Sequence, residues 1–504
     1  MDAITDAPSD GVRSAEFRPD PGGPPGRSGP GRGGRDLTQG PITRTLLVFS
    51  LPLLGGNALQ SLNGTVNQIW VSHTLGETAI TALGNANIVM MLMMGAIFGV
   101  GMAANILVAQ AMGAREPALV KRVMGTATTF FLGLSLLIAL IGWLASPTIL
   151  QWMATPIEAR AGAIIYLRII FIALPFMNFF MFLQMAQRGA GDSITPFWFL
   201  ALALAIDVAL NPLLILGIGP FPRLGIAGPA VSTLIGQGTA LLGLIVWLYR
   251  RNSILVLHRG ELHLFRPDFD IMSALLSRGL PMGLQMIIMN AAAVVMISFV
   301  NGFGSLTSAA YSISSIIWGY LQMPTMAIGA SVSSMAAQNV GARRWDRVNK
   351  IARSGVISGL TVTGSIALLL YIFNDQVLSI LLPAHSPAIP LARHINTTVL
   401  WGLVLFSITF ALSGVVRSTG AVWVPMAILV ISMVGVRIPF AALLIPRFGA
   451  DAIWWSFPLG TITSAALTTL YYLHGGWRRA RMLRDEPQAP PAESAESALA
   501  AAGS

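Results

Sequence analysis

The chain has 504 residues, 54% hydrophobic and only 10% charged, where a soluble protein carries about 25% charged residues. So few charges exclude a water-covered globule, and the absence of cysteine excludes a disulfide framework and thiol chemistry. The net charge of +10 sits in short segments between apolar runs, which points to a membrane surface rather than to nucleic acid.

Residues 1–40 are rich in Pro, Gly, Arg and Asp, with no apolar run long enough for a signal peptide; they are predicted to be a disordered tail. Apolar stretches of spanning length, about 20 residues or more, then fall at 43–70, 79–110, 122–145, 161–185, 195–217 and 226–249. A polar connector, 251–269, separates them from six more, at 271–300, 306–337, 350–373, 388–414, 421–445 and 452–474. Lipid cannot satisfy open backbone groups, so helices are predicted. A second disordered tail, 476–504, follows with its basic cluster Arg478, Arg479, Arg481 and Arg484.

The chain says the same thing twice. Gln110-Ala-Met-Gly-Ala-Arg115 returns as Gln338-Asn-Val-Gly-Ala-Arg343, and Arg188-Gly-Ala-Gly191 as Arg417-Ser-Thr-Gly420. The expected fold is therefore an all-α membrane protein. Twelve transmembrane helices form two six-helix lobes, 41–250 and 270–475, related by a pseudo-two-fold along the membrane normal. With the N-terminus inside, all but six of the 31 Lys and Arg lie on the cytoplasmic side; the six are Arg160, Arg168, Arg223, Arg393, Arg437 and Arg447. Both termini are thus expected in the cytoplasm, the protein multi-pass in the inner membrane. The Gly113-Ala-Arg115 and Gly341-Ala-Arg343 repeats are read as helix ends, with Gly as terminator and Arg at the headgroups. Arg437, in the eleventh span, is expected to snorkel to the outer interface.

Of the eleven carboxylates between residues 41 and 475, Asp207 alone lies mid-span. A charge there costs at least roughly 2.5–3.5 kcal/mol, so it should face a wet cavity or carry a proton part of the time. The bland alternative is a protonated interhelical clamp. Asn211 shares its helix face, and Pro212 removes a backbone donor and offers either a hinge or a packing kink. Pro52 bends the first span, on which Gln60, Asn63 and Asn67 form a polar stripe that lines either a cavity or a helix contact. Met90, Met91, Met93 and Met94, with Met282, Met286 and Met289, are read as lipid-facing packing, with an adaptable drug surface as the alternative. No metal-ligand spacing, nucleotide-binding loop or catalytic triad occurs, so no cofactor, no metal and no enzyme activity are expected.

At these residues the chain resembles the multidrug and toxic compound extrusion (MATE) family. The likeness runs over 42–475, through Leu51-Pro52, Leu59-Gln60-Ser61, Val66-Asn67, Gln110…Gly113-Ala114, Gln184…Arg188-Gly-Ala-Gly191-Asp192, Asn211-Pro212 and Gly225-Ile-Ala-Gly228. It implies an antiporter that alternates between outward-open and inward-open V shapes and exchanges H⁺ or Na⁺ for an amphipathic, often cationic, compound. It adds Gln184 to the ion- and substrate-binding set of Asp207, Asn211, Asn67 and Gln60, with Pro52 and Pro212 as hinges. Many relatives have Asp at the position of Asn67, and many read Asn-x-x-x-Asp-Pro where this chain reads Asp207-Val-Ala-Leu-Asn211-Pro212. Gln285 and Asn290 occupy the part of the seventh span where some relatives place Glu. All coupling charge then rests on Asp207, which favours a proton over Na⁺. The expected partners are a drug-like organic cation, H⁺ and the lipid bilayer, with the protein a monomer. The competing functions are a flippase for lipid-linked saccharides and a non-transporting membrane scaffold or sensor.

Overall fold

Backbone groups in an apolar run have no partner except their own helix, and a computed structural model of the chain is helical through every predicted span. It describes residues 34–75, 77–153, 155–383 and 386–483, and among these the side chains at 75, 77–82, 85, 91, 92, 94 and 96 lie outside the description. Most of both predicted tails, and the side chains of Met91 and Met94, therefore lie outside the described residues.

The first lobe contains α1 (Ile42–Leu75), α2 (Glu77–Ala114), α3 (Pro117–Trp152), α4 (Ile157–Gly189), α5 (Ile194–Leu216) and α6 (Gly228–Arg250). The second contains α7 (Phe269–Asn301), α8 (Ser305–Gly341), α9 (Trp345–Ile372), α10 (Asn374–Leu381) and α11 (Ala388–Arg417). It closes with α12 (Trp423–Val430), α13 (Ile438–Phe448) and α14 (Asp451–His474). A π-helical segment, Ile431–Arg437, joins α12 to α13, so that 423–448 is one span. Twelve long helical rods result, with the short α10 in the loop predicted between the ninth and tenth. Ten are long and apolar enough to cross a membrane by composition alone among the described residues. The other two, α8 and α14, are as long but carry buried hydroxyls and amides, among them Thr325, Ser331, Ser334, Gln338, Thr461 and Ser464.

The lobes join at the face that carries residues 34–40 and 476–483, and part at the opposite face. In the terminal half, Ile271, Leu275 and Met282 of the second lobe pack into one core with Ile106, Val123 and Phe182 of the first. Leu46 and Leu53 likewise pack among Val332, Met335 and Val415. In the far half, the core around Leu167 and Phe171 draws only on the first lobe, and that around Trp318 and Trp454 only on the second, among the described residues. The molecule is a V whose cleft opens away from the face that carries residues 34–40 and 476–483.

The repeated motifs build the closed end. The Cβ of any other residue at Gly113 would lie 1.8 Å from the carbonyl oxygen of Gln338, and at Gly341 it would lie 1.9 Å from that of Gln110. Each glutamine also donates across the pseudo-two-fold. Gln110 Nε2 reaches the Ser418 carbonyl at 2.6 Å, and Gln338 Nε2 reaches the Gly189 carbonyl at 2.9 Å. The motifs do end α2 and α8, as expected, but the glycines are not the left-handed caps. Gly113 and Gly341 are helical, while Arg115 and Arg343 hold the positive φ, 59° and 56°. Glycine is required because two backbones touch, a contact that sequence spacing does not reveal. In the second motif Gly191 and Gly420 hold φ of 90° and 98°, the left-handed region that glycine enters freely.

Residues 34–40, grouped by composition with the tail, are seated across the closed end. Arg35 N donates to Gly191 O at 3.1 Å, Leu37 N to Gln338 Oε1 at 2.9 Å, and Arg344 Nη1 to Thr38 O at 2.8 Å. Leu37 is fully buried. Trp477, beyond the last span, is also buried and stacks on Tyr472. An apolar anchor and satisfied backbone groups place both segments, whose average composition reads as disordered.

The connector folds onto α3. Lys121 pairs with Glu261, Arg122 Nη2 lies 2.7 Å from Asp268 Oδ2, and Thr129 Oγ1 donates to Phe265 O at 2.8 Å. The Lys121 hydrogen bond, with the His258 backbone N–H behind it, holds the Glu261 carboxyl below its usual range. Burial pushes Asp268 up, but hydrogen bonds from Arg122 and the Ile271 and Asp270 amides outweigh it and leave this carboxyl low as well. Arg437 does not snorkel. Its guanidinium lies 3.5 Å from the centre of the Phe457 ring and 3.6 Å from Met433 Sδ, because a cation over an aromatic face is stabilised without leaving the lobe.

Candidate functional site

Asp207 and Asn211 lie one turn apart on α5, only 4% and 0% exposed. Two neighbours meet them. On α1, Asn63 and Asn67 are likewise one turn apart and face α5. On α6, Ser232 and Thr233 follow Pro229, and Gly236 one turn later lets α6 lie close. A Cβ at Gly236 would be 2.6 Å from the Ala203 carbonyl oxygen.

The result is a carboxylate supplied with donors on both oxygens. Asn63 Nδ2 and Asn67 Nδ2 donate to Asp207 Oδ2 at 3.0 and 3.3 Å. Ser232 Oγ and Thr233 Oγ1 stand 2.5 and 3.2 Å from Oδ1. Asn211 Nδ2 donates in turn to Asn67 Oδ1. Charge-assisted bonds of this kind are roughly twice as strong as neutral ones, which is how a burial otherwise prohibitive for an ion is offset.

The α6 hydroxyls have an alternative. Ser232 Oγ and Thr233 Oγ1 also lie 2.9 and 3.0 Å from the Pro229 carbonyl. Each hydroxyl has one hydrogen and two lone pairs. It can donate to a carboxylate, or turn to Pro229 and accept from a carboxylic acid. The amide nitrogens of Asn63 and Asn67 can only donate. The α6 side therefore accommodates either protonation state, while the α1 side binds the anion more strongly.

Beside the cluster lies a cavity of about 250 Å³ lined by Asn67, Gln68, Asn87, Tyr166 and Thr233 with small and apolar neighbours. It shares Asn67 and Thr233 with the hydrogen-bonded group.

Of the sequence-predicted residues, the structure brings together Asp207, Asn211 and Asn67. Gln60 is exposed on α1, outside the cluster. Gln184 is buried near the end of α4, where its Oε1 lies 3.5 Å from Arg188 Nη2. The helices run unbroken through Pro52 and Pro212. Sequence reasoning missed Ser232, Thr233 and Tyr166, since hydroxyls in apolar helices are too common to single out. Met282, Met286 and Met289 line a cavity in the second lobe rather than a lipid-facing surface.

A family model described as MatE matches the chain twice, over residues 52–213 and 281–443, one match in each lobe. The probable multidrug resistance protein YoeA of Bacillus subtilis is 32% identical over 88% of this chain and 96% of its own length. The probable multidrug resistance protein YpnP of the same organism is 27% identical over 90% and 99%. A crystal structure of MATE in complex with MaD3S superimposes with a TM-score of 0.81 at 20% identity, covering 87% of this chain and 97% of that one.

Proposed function

The chain belongs to the MatE family, and from that premise we propose that it is a secondary active multidrug exporter of the inner membrane. With both termini cytoplasmic, it exchanges H⁺ for amphipathic or cationic organic compounds by alternating access. The names of its relatives support the drug-like substrate class. The observation that carries the coupling ion is the donor set around Asp207, with Asn63 and Asn67 of α1 on one oxygen and Ser232 and Thr233 of α6 on the other.

In the ionised state Asp207 ties α1 and α6 to α5. When a proton arrives from the adjoining cavity, the acid O–H donates to Ser232 Oγ and the serine hydrogen turns to Pro229. Asn63 and Asn67 then face a neutral carbonyl and lose the charge-assisted part of their bonds. Only α1 is loosened, so protonation biases one helix of the cleft wall, as an antiporter requires of its ion. A Na⁺ site is the second reading, favoured by two amide oxygens without partners, Asn63 Oδ1 and Asn211 Oδ1. It ranks lower because the two amide nitrogens on Asp207 Oδ2, those of Asn63 and Asn67, can only donate hydrogens, whereas a hard cation needs oxygen ligands.

The test is uptake of a fluorescent organic cation by proteoliposomes under an imposed pH gradient, wild type against Asp207→Asn. The variant keeps the shape and fixes the neutral state, so pH-driven uptake falls to background. Normal uptake by Asp207→Asn at normal abundance refutes the proposal. Uptake driven by a Na⁺ gradient instead moves the ion to the amide oxygens.

A further inference from the structure

A cavity of about 280 Å³ is lined mainly by α7, α8 and α11 of the second lobe, with Phe98 and Met102 of α2 on its first-lobe side. Its wall is mostly apolar, with Met282, Met286, Met289 and Phe406 prominent. At one end stand Arg417, the last residue of α11, and Gln285 of α7. Both are short of partners. Arg417 Nη1 reaches Gln285 Oε1 only at a long 3.4 Å, and Arg417 Nε and Gln285 Nε2 are buried with no hydrogen-bond partner. Among the described residues no Asp or Glu lines the cavity.

A guanidinium at a helix C-terminus is stabilised by the helix dipole, and that accounts for part of Arg417. It does not account for the contrast with its repeat counterpart. Arg188, at the end of α4, also has a buried Nε without a partner, but its Nη2 lies 3.5 Å from Gln184 on its own helix, one turn back. Arg417 instead reaches across to α7, beside a second unpaired N–H donor, at the head of an apolar cavity. A buried donor left without a partner is destabilising, more so when it is charged. A planar guanidinium with an adjoining carboxamide matches an oxyanion, and a methionine wall adapts to an apolar stem of varied shape.

We propose that this cavity binds an amphipathic organic anion, its carboxylate, sulfonate or phosphate head on Arg417 and Gln285 and its apolar stem along Met282, Met286 and Met289. The site goes beyond the transport reading, and it lies in the opposite lobe from Asp207. Binding here needs no ion gradient, so its failure is separate from failure of the proton-coupling scheme.

The test is equilibrium binding to the full-length protein in phosphatidylcholine nanodiscs, with dansylaminoundecanoate as probe and its uncharged methyl ester for comparison. Wild type binds the acid more tightly than the ester. Arg417→Gln weakens the acid roughly ten- to a hundredfold, the loss of one charged hydrogen-bonding group, and leaves the ester unchanged. Gln285→Glu, which sets a negative charge against the head, also weakens the acid and provides a second variant should Arg417→Gln not fold. Arg417→Lys retains most of the preference for the acid. Equal binding of acid and ester by wild type, or undiminished acid binding by folded Arg417→Gln, overturns the proposal. Nanodiscs doped with phosphatidylglycerol identify the source of the head. Competition with the probe makes a lipid phosphate the resident ligand, and its absence makes a free amphipath the ligand; both uphold the site.

Discussion

Replacing Gly341 by alanine adds a single carbon, yet the geometry of the closed end makes it a large perturbation. The new Cβ would stand 1.9 Å from the Gln110 carbonyl oxygen, and must retreat by about 1.5 Å to reach ordinary van der Waals contact at 3.4 Å. Neither atom belongs to a flexible side chain, so the helices α2 and α8 must separate. A separation of that size stretches the Gln110–Ser418 and Gln338–Gly189 bonds, now 2.6 and 2.9 Å, past the roughly 3.5 Å at which they cease to be hydrogen bonds. Two such bonds at about 0.5–1.5 kcal/mol each amount to about 1–3 kcal/mol, which shifts an equilibrium between closed and open lobes roughly 5- to 150-fold. The absence of native cysteine makes the assay direct. Spin labels on Ala118→Cys and Lys350→Cys, exposed positions on opposite lobes, report the separation by pulsed dipolar spectroscopy. Gly341→Ala should lengthen and broaden the distance distribution, and Gly113→Ala should do the same through its own 1.8 Å approach. Distributions identical to those of the parent in both variants would refute the reasoning.

Two further outcomes are expected. Ser232→Ala removes a donor 2.5 Å from Asp207 Oδ1 and should cost about 1.5–3 kcal/mol while the carboxylate is ionised, falling to about 0.5–1.5 kcal/mol once it is protonated. Its thermal midpoint should therefore lie below that of the wild type, and an unchanged midpoint would count against this contact. In the connector, Glu261 and Asp268 are held below their usual values. The stability they contribute is thus complete above the ordinary carboxylate range and lost as pH falls through the lowered values. Hydrogen exchange of residues 258–268, corrected for intrinsic rate, should accelerate only once the pH has fallen below the ordinary carboxylate range, with Lys121→Met producing a similar loosening at neutral pH. Protection unaltered by both treatments would show that apolar packing alone holds the connector to α3.

The sequence by itself determined the twelve spans, the duplication and the singular status of Asp207. These are properties of short windows. A backbone in lipid must bond to itself, a repeated motif is visible as a repeat, and a mid-span acid is conspicuous because its cost does not depend on its neighbours. Asn67 and Asn211 were legible for the related reason that helical spacing puts them on stripes that face inward. Only the tertiary structure decided what surrounds the acid. Ser232 and Thr233 reach it from α6 because Gly236 lets two helices approach, and Gln60 stands outside although its spacing on α1 is equally suggestive. It likewise showed that Gly113 and Gly341 are required by a backbone contact between the lobes, and that Arg417 reaches across to Gln285 while its counterpart Arg188 reaches along its own helix. Each outcome depends on distances between atoms far apart along the chain, set by how helices cross, and such distances leave no trace in the spacing of any one helix.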